Sequence, residues 1–408
     1  MATLPPPLRR TLVDIHPADV VTRVGREDHQ DPRMDAVWRD VQQLYRTGLH
    51  PAVALHVRHQ GRVVLDRTIG HLENAPGGAA GNVVTPDSLF NLFSGSKIVT
   101  AALVMALVDD GLLDLEQRAA HWVPEFGRFG KEDIRLRHLL NHTAGIPDMP
   151  PGMDVAGALA SGVVPLDGIC ALRPQSAPGV RAAYHPITSW VIIQAIVERA
   201  TGRPLRTVLA ERLLDPLGLR TLNYGVPEDR IPDVARHAVT GPPAPGAMEA
   251  IFRRSIGIGL EEAVRLTNDP RFLTAVLPSA NVIGEPREVT RFLAMLLGGG
   301  AVDGVRVMSE RTVRRLYTEV TPRQFDGTLG FPMRYGLGVM MGGRRFSLFG
   351  LDTPGAFGHL GLSNVVVFAD PARDLVVSFL NTGKPLMDHG MVRWYWVLQR
   401  IVSVAARR

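Results

Sequence analysis

Residues 98–108, Ile-Val-Thr-Ala-Ala-Leu-Val-Met-Ala-Leu-Val, are apolar on nearly every side of the helix they would form. A helix without a polar face must be enclosed by other elements, so this run belongs at the centre of a core. At 408 residues the chain is long enough to build one, and the length suggests two structural units more than one. Asp109-Asp110-Gly111 ends the run, Gly111 suiting the left-handed position beyond a helix end. Ser94-Gly95-Ser96-Lys97 stands directly ahead of it, which puts a lysine in the first turn of the most buried helix.

Residues three apart share a helix face, so Ser94 and Lys97 can meet. A serine hydroxyl is a weak nucleophile until a neighbouring base takes its proton. Desolvation lowers the pKa of a lysine and makes it such a base. Lys97, Lys131 and Lys384 are the three lysines in a chain with 45 Lys and Arg together. Arginine is effectively never deprotonated, so a lysine kept in an arginine-rich chain points to an amine that loses its proton. The same letters also describe a serine N-cap with a solvated lysine one turn on. The apolar run that follows argues for the catalytic reading.

Composition narrows the rest. A hydrophobic fraction of 45% and a charged fraction of 21% are those of a soluble globular protein. The net charge of +5 comes without a block of like charges, so no nucleic-acid partner is expected. Cys170 is the single cysteine, which excludes an internal disulfide and gives a thiol nucleophile little support. Residues 1–10 lack the apolar stretch of a secretory signal. The apolar stretch 391–406 carries Arg393, Gln399 and Arg400 and falls short of the roughly 20 residues of a membrane span. A cytoplasmic protein without a membrane span is therefore expected.

No metal or cofactor is expected either. His138 and His142 are four apart, but the zinc motif needs Glu where Leu139 stands. Gly257-Ile258-Gly259 lacks the third glycine and the preceding strand of a dinucleotide site. No serine sits in the G-x-S-x-G elbow of an α/β-hydrolase. Ser279-Ala280-Asn281 is a weak rival partner for the Ser-Lys pair, and Thr382-Gly383-Lys384 reads as a turn. Trp190, Trp394 and Trp396, on expected helices, read as core.

Residues 1–33 read as an N-terminal arm, followed by helical spacing of Met34, Val37, Trp38, Val41 and Tyr45 up to Gly48. Residues 52–57 and 62–67 form an expected hairpin around His59-Gln60-Gly61. From residue 86 to 284 the patterns are mainly helical, including 189–200 and 205–214. Further helices are expected at 287–297 and 309–319, and strands at 335–341, 364–369 and 375–380. Strands at both ends with helices between predict an α+β fold: an antiparallel sheet domain of 34–85 and 285–408, a helical domain of 86–284, and an active site at their interface.

Two further sites suit the Ser-Lys pair. Tyr184 lies in Ala183-Tyr184-His185-Pro186, just ahead of a helix, and a phenol near an ammonium group can titrate low and share the base role. His359-Leu360-Gly361 enters a Val-Val-Val-Phe run, where glycine permits close backbone approach by a ligand.

In this order the three sites resemble the serine β-lactamase-like superfamily, whose S-x-x-K and K-T-G boxes are known motifs. The chain is most similar to class C β-lactamases, D-alanyl-D-alanine peptidases and, above all, family VIII carboxylesterases. Residues 136–147, Leu-Arg-His-Leu-Leu-Asn-His-Thr-Ala-Gly-Ile-Pro, resemble a further family segment, as do residues 108–115. The resemblance implies a β-lactamase/transpeptidase-like fold and the following roles. Ser94 is the nucleophile that becomes acylated, with Lys97 and Tyr184 as its base network. The backbone N–H groups of Ser94 and Leu362 form the oxyanion hole, and His359 replaces the family lysine. His185, Leu360 and Gly361 contact substrate.

Departures from the family pattern select a branch. Pro186 occupies the place of a substrate-binding asparagine, and Leu360 that of a Thr or Ser hydroxyl. A site without those groups is expected to prefer small uncharged esters to anionic lactams. The expected activity is a serine carboxylesterase. The alternatives are a β-lactamase, a peptidase for D-amino-acid substrates, and, more remotely, a binding protein that has lost catalysis.

Overall fold

The structure is a computed structural model, and it describes residues 15–23, 31–73, 82–345, 347–386 and 389–405. Residues 1–10, read above for a secretory signal, lie outside them. Nine strands form one antiparallel sheet. They are β1 (Val20–Thr22), β2 (Ala52–His59), β3 (Arg62–Gly70), β4 (Thr321–Phe325), β5 (Pro332–Tyr335), β6 (Met340–Met341), β7 (Phe357–Leu360), β8 (Val366–Asp370) and β9 (Leu375–Asn381). The order across the sheet is β1-β3-β2-β9-β8-β7-β6-β5-β4. The β2–β9 pairing, with Leu55 opposite Phe379, joins the N-terminal strands to the C-terminal ones.

Both faces of this sheet are buried, so its central strands read as nearly unbroken apolar runs. On one face Val53, Leu55, Val57, Val366, Phe368, Val377 and Phe379 pack under α1 (Pro32–Tyr45) and the C-terminal helix (His389–Val404). The other face, with Ala52, Ala54, Val367, Ala369, Val376 and Leu380, joins the large core of the helical part. At the centre of that core is α2 (Ser96–Asp109), whose residues 96–107 are all buried. Two further helices matter to the site: α3 (Thr188–Thr201), and α4 (Pro286–Leu297), which packs on β2, β8 and β9.

Several local expectations are corrected. The 1–33 arm contributes the edge strand β1, its Val20 facing Ile69. The strand expected at 335–341 is a hairpin, β5 turning into β6. The turn is closed by Gly336 N–H donating to Val339 O at 3.0 Å. Gly338 has φ 77°, and a Cβ there would lie 2.3 Å from the Ala101 Cβ of α2, so only glycine lets this turn cross the helix. The 205–214 helix is an α-turn, Leu205–Leu209, continued as a wider π-type turn, Ala210–Leu214. Trp190 and Trp394 are core, whereas Trp396 is 62% exposed. Among the described residues, no helix is long and apolar enough to cross a membrane.

Candidate active site

The chain enters α2 through a single 3-10 turn, Phe93–Gly95, that carries Ser94. Phe93 holds φ 49°, a left-handed conformation rarely adopted by a bulky residue. Its N–H donates to Asn91 Oδ1 at 2.8 Å, which helps hold that turn. Strain of this kind, about 1–3 kcal/mol, persists where the surroundings over-determine it. The consequence is positional: Ser94 is half-buried while Phe93, Gly95, Ser96 and Lys97 around it are buried.

Lys97 has no exposed surface. Its Nζ lies 3.1 Å from Ser94 Oγ and donates to Ser279 O at 3.0 Å. The rings of Tyr184 and Trp190 complete its cage, with centroids at 5.1 and 5.6 Å. No carboxylate ion pair holds this amine among the described residues, and burial drives its pKa well below the ordinary lysine value. A solvated lysine behind a serine cap is therefore not what the fold builds.

Tyr184 is buried, with its ring centroid 5.1 Å from Lys97 Nζ and the Ser94 side chain near its hydroxyl. The low-titrating phenol expected from sequence is corrected: burial, with the Asp326 carboxylate nearby, pushes this pKa up. Asp326 was not anticipated. Fully buried, it accepts the Tyr184 N–H at 3.1 Å, the Thr328 and Leu329 N–H groups at 2.9 and 2.8 Å, and the Tyr335 hydroxyl at 2.8 Å. It fixes the backbone that presents Tyr184. An Asp-Gly-Thr sequence signals such a side-chain-capped turn, but nothing in it says what the turn will touch.

His359, on β7, is fully buried, with its ring centroid 5.9 Å from that of Tyr184. Its Nδ1 lies 2.6 Å from Leu360 O, and a carbonyl only accepts, so Nδ1 carries the proton. Nε2 is then a bare acceptor, buried and without a hydrogen-bond partner among the described residues. Burial and the nearby Lys97 push the ring's pKa down to about 3, so it is neutral at ordinary pH. Leu360, the last residue of β7, and Gly361, Leu362 and Ser363 after it are all half-buried. Ser94 is half-buried as well, whereas Lys97, Tyr184 and His359 are buried.

A family model described as Beta-lactamase matches residues 39–400. The chain belongs to the beta-lactamase family. It is 27% identical to Esterase/beta-lactamase LipL of Mycobacterium tuberculosis over 93% of this chain and 89% of that protein. It is 30% identical to Esterase EstB of Burkholderia gladioli over 64% of this chain and 68% of that one. Among solved structures it is similar to a family VIII carboxylesterase with TM-score 0.76 and 24% identity, covering 91% of this chain and 98% of the other. A penicillin-binding protein homologue from Caulobacter crescentus gives TM-score 0.76 and 26% identity, covering 95% and 100%. The chain is thus a serine hydrolase of β-lactamase fold.

Within this beta-lactamase-family site, the remaining sequence-expected residues are placed as follows. A Cβ on Gly361 would lie 2.6 Å from Leu92 O, so the close approach this glycine permits is by the chain's own backbone. His185 accepts the Ile146 N–H on Nε2 at 2.9 Å and stacks on His142 at 5.9 Å, so its ring serves the scaffold. Leu360 packs on the apolar cluster that includes Tyr184. Of the rival triplet, Ser279 supplies a carbonyl to Lys97, while the Asn281 side chain is spent on Leu277, Phe272 and Ala275 backbone groups. Cys170 is buried and its thiol is pushed up to about 11, far from a working nucleophile. His138 Nδ1 accepts the Arg135 N–H and His142 Nδ1 the His185 N–H, both structural bonds.

Proposed function

We propose that this protein is a carboxylesterase that works through a Ser94 acyl-enzyme. The observation that carries the reading is the contact of Lys97 Nζ with Ser94 Oγ at 3.1 Å in a cage that disfavours the ammonium form. A neutral amine accepts the Ser94 proton as Oγ attacks the ester carbonyl. The developing oxyanion is met by the N–H groups of Ser94 and Leu362, and losing one such donor typically costs about 100- to 1000-fold in rate. Tyr184, kept as a phenol, passes a proton between Ser94, Lys97 and the leaving alkoxide. Water then enters by the same route, with Lys97 again the base, and releases the acid.

Preference for an ester over an anionic lactam is supported by His359, Leu360 and Pro186. A neutral ring offering only a lone pair does not attract a carboxylate, and neither Leu360 nor Pro186 donates to one. Each missing charge-assisted bond is worth about 1.5–3 kcal/mol, so two amount to a few hundred-fold or more in recognition. The relative EstB, named as an esterase, agrees with this direction, while LipL is named for both activities. The test compares kcat/KM for p-nitrophenyl butyrate and nitrocefin on one preparation, with fluorophosphonate labelling and peptide mapping to Ser94. Ester turnover with weak nitrocefin turnover is expected. Nitrocefin as the better substrate replaces the esterase by a β-lactamase, and absence of labelling removes the serine mechanism.

A further inference from the structure

Lys384, which follows β9, is as buried as Lys97 yet has no part in the proton path described above. Its Nζ donates to Asn381 O at 2.7 Å and to Asn381 Oδ1 at 3.3 Å, and sits 4.8 Å from the centre of the Phe93 ring. Those contacts lead to both sides of the reactive serine. Phe93 is the strained residue directly before Ser94, and its ring is flanked also by His237 at 4.6 Å. On the other side, Asn381 Nδ2 donates to Asn364 O at 2.5 Å. Asn364 and Ser363 have φ 60° and 48°, in the left-handed region, and directly follow Leu362. The Ser363 hydroxyl donates to Pro385 O, a second tie between the same two segments. Gly361 N–H to Val365 O at 2.8 Å closes the turn.

Two strained backbone segments, one bearing the Ser94 N–H and the other the Leu362 N–H, thus lean on one amine and the asparagine it holds. We propose that Lys384 is a positioning residue: through Phe93 on one side and Asn381–Asn364 on the other, it sets the spacing of the two oxyanion donors. This rests on reading those N–H groups as the oxyanion hole. Misplacing a catalytic group by about 1 Å can cost about 100-fold, so the arrangement has a measurable effect on rate. A methionine in its place keeps the length and apolar stem but loses every donor, releasing Asn381.

The experiment is kinetic. Lys384→Met is expected to lower kcat on p-nitrophenyl butyrate about 30- to 100-fold with KM within threefold. The inhibition constant of phenylboronic acid, whose serine adduct is tetrahedral, is expected to rise by the same factor. The pH midpoint of kcat/KM should stay in place, because Lys97 remains the base. A kcat within threefold of the unchanged protein overturns the proposal, as does a shifted pH midpoint with unaltered boronic acid affinity. Should Lys384→Met fail to fold, Asn381→Ala, which cuts the tie to Asn364 O, is expected to give about a tenfold loss in kcat matched in boronic acid affinity. A loss without that match overturns it. Labelling of Ser94 by a fluorophosphonate in the unchanged protein separates failure of this proposal from failure of the serine mechanism.

Discussion

Lys97 and Lys131 are both buried, both reach backbone carbonyls, and both face two aromatic rings. Lys131 Nζ donates to Arg128 O at 2.8 Å and to Leu172 O, with the Phe126 and Phe129 centroids at 5.4 and 5.3 Å. Burial lowers the pKa of each. They differ in their partners: the Glu132 carboxylate near Lys131 favours its charged form, and only Lys97 meets a hydroxyl. The two carbonyls at Lys131 only accept, so both hydrogen bonds use N–H donors, which the ammonium form keeps. The hydroxyl at Lys97 can donate back into the amine's lone pair, so the neutral form is bonded as well as the charged one. A buried amine becomes a base through its neighbour; burial alone gives a structural pin.

The largest expected effect that tests this contrast is at the serine. Ser94→Ala should fold normally and lose ester hydrolysis by a factor of about 10,000 or more, as removal of an acylated serine does elsewhere. Near-full turnover of p-nitrophenyl acetate by the folded variant would break the comparison at once. Next come Lys97→Ala and Tyr184→Phe, each expected to cost about a thousandfold in kcat, with the double variant little worse than either because they share one proton path. Multiplicative losses would show two independent groups.

The pH profile sharpens the same point. Burial lowers the Lys97 pKa, so the amine is already free well below the usual lysine range, and activity falls as pH drops through that lowered value. The raised phenol pKa keeps Tyr184 protonated over that limb. An acid limb that vanishes in a partly active Lys97 variant but persists in Tyr184→Phe supports the assignment; the reverse pattern sinks it. Lys131→Met is the counterpart. It should leave kcat/KM within twofold while lowering stability by about 1–3 kcal/mol for each carbonyl left unpaired, read from denaturant or thermal unfolding. The smallest effect belongs to Ser96→Ala. Ser96 Oγ accepts the Val282 N–H at 2.8 Å, so the variant should lose about 1 kcal/mol and only a few-fold in rate.

How much of this could be read in the sequence depends on the range over which the information is stored. Ser94 and Lys97 were legible because one helix turn brings them together, and Tyr184 because it precedes a clear amphipathic helix. The central strands showed as apolar runs, being buried on both faces. β4 was missed: Thr321–Phe325 is mostly exposed edge strand with a proline, without the apolar pattern that marks a strand. β1 was missed because three residues after a proline turn carry too little periodicity. Asp326, the Ser279 carbonyl and the contact of Trp190, read correctly as core, with Lys97 escaped for another reason. Their roles come from contacts between distant parts of the chain, and a backbone carbonyl has no letter of its own. His359 was found, but its charge state came only from burial and from the carbonyl that fixes its tautomer.

All three lysines of the chain, Lys97, Lys131 and Lys384, have no exposed surface. The folded protein therefore offers no side-chain amine to an electrophile in solution, although its surface is rich in arginine. An enzyme that works on reactive esters would thus be protected from acylation of its own exterior by its substrates. In the laboratory, succinimidyl esters should leave the native side chains unmodified, and coupling to a support through lysine should fail until the protein unfolds.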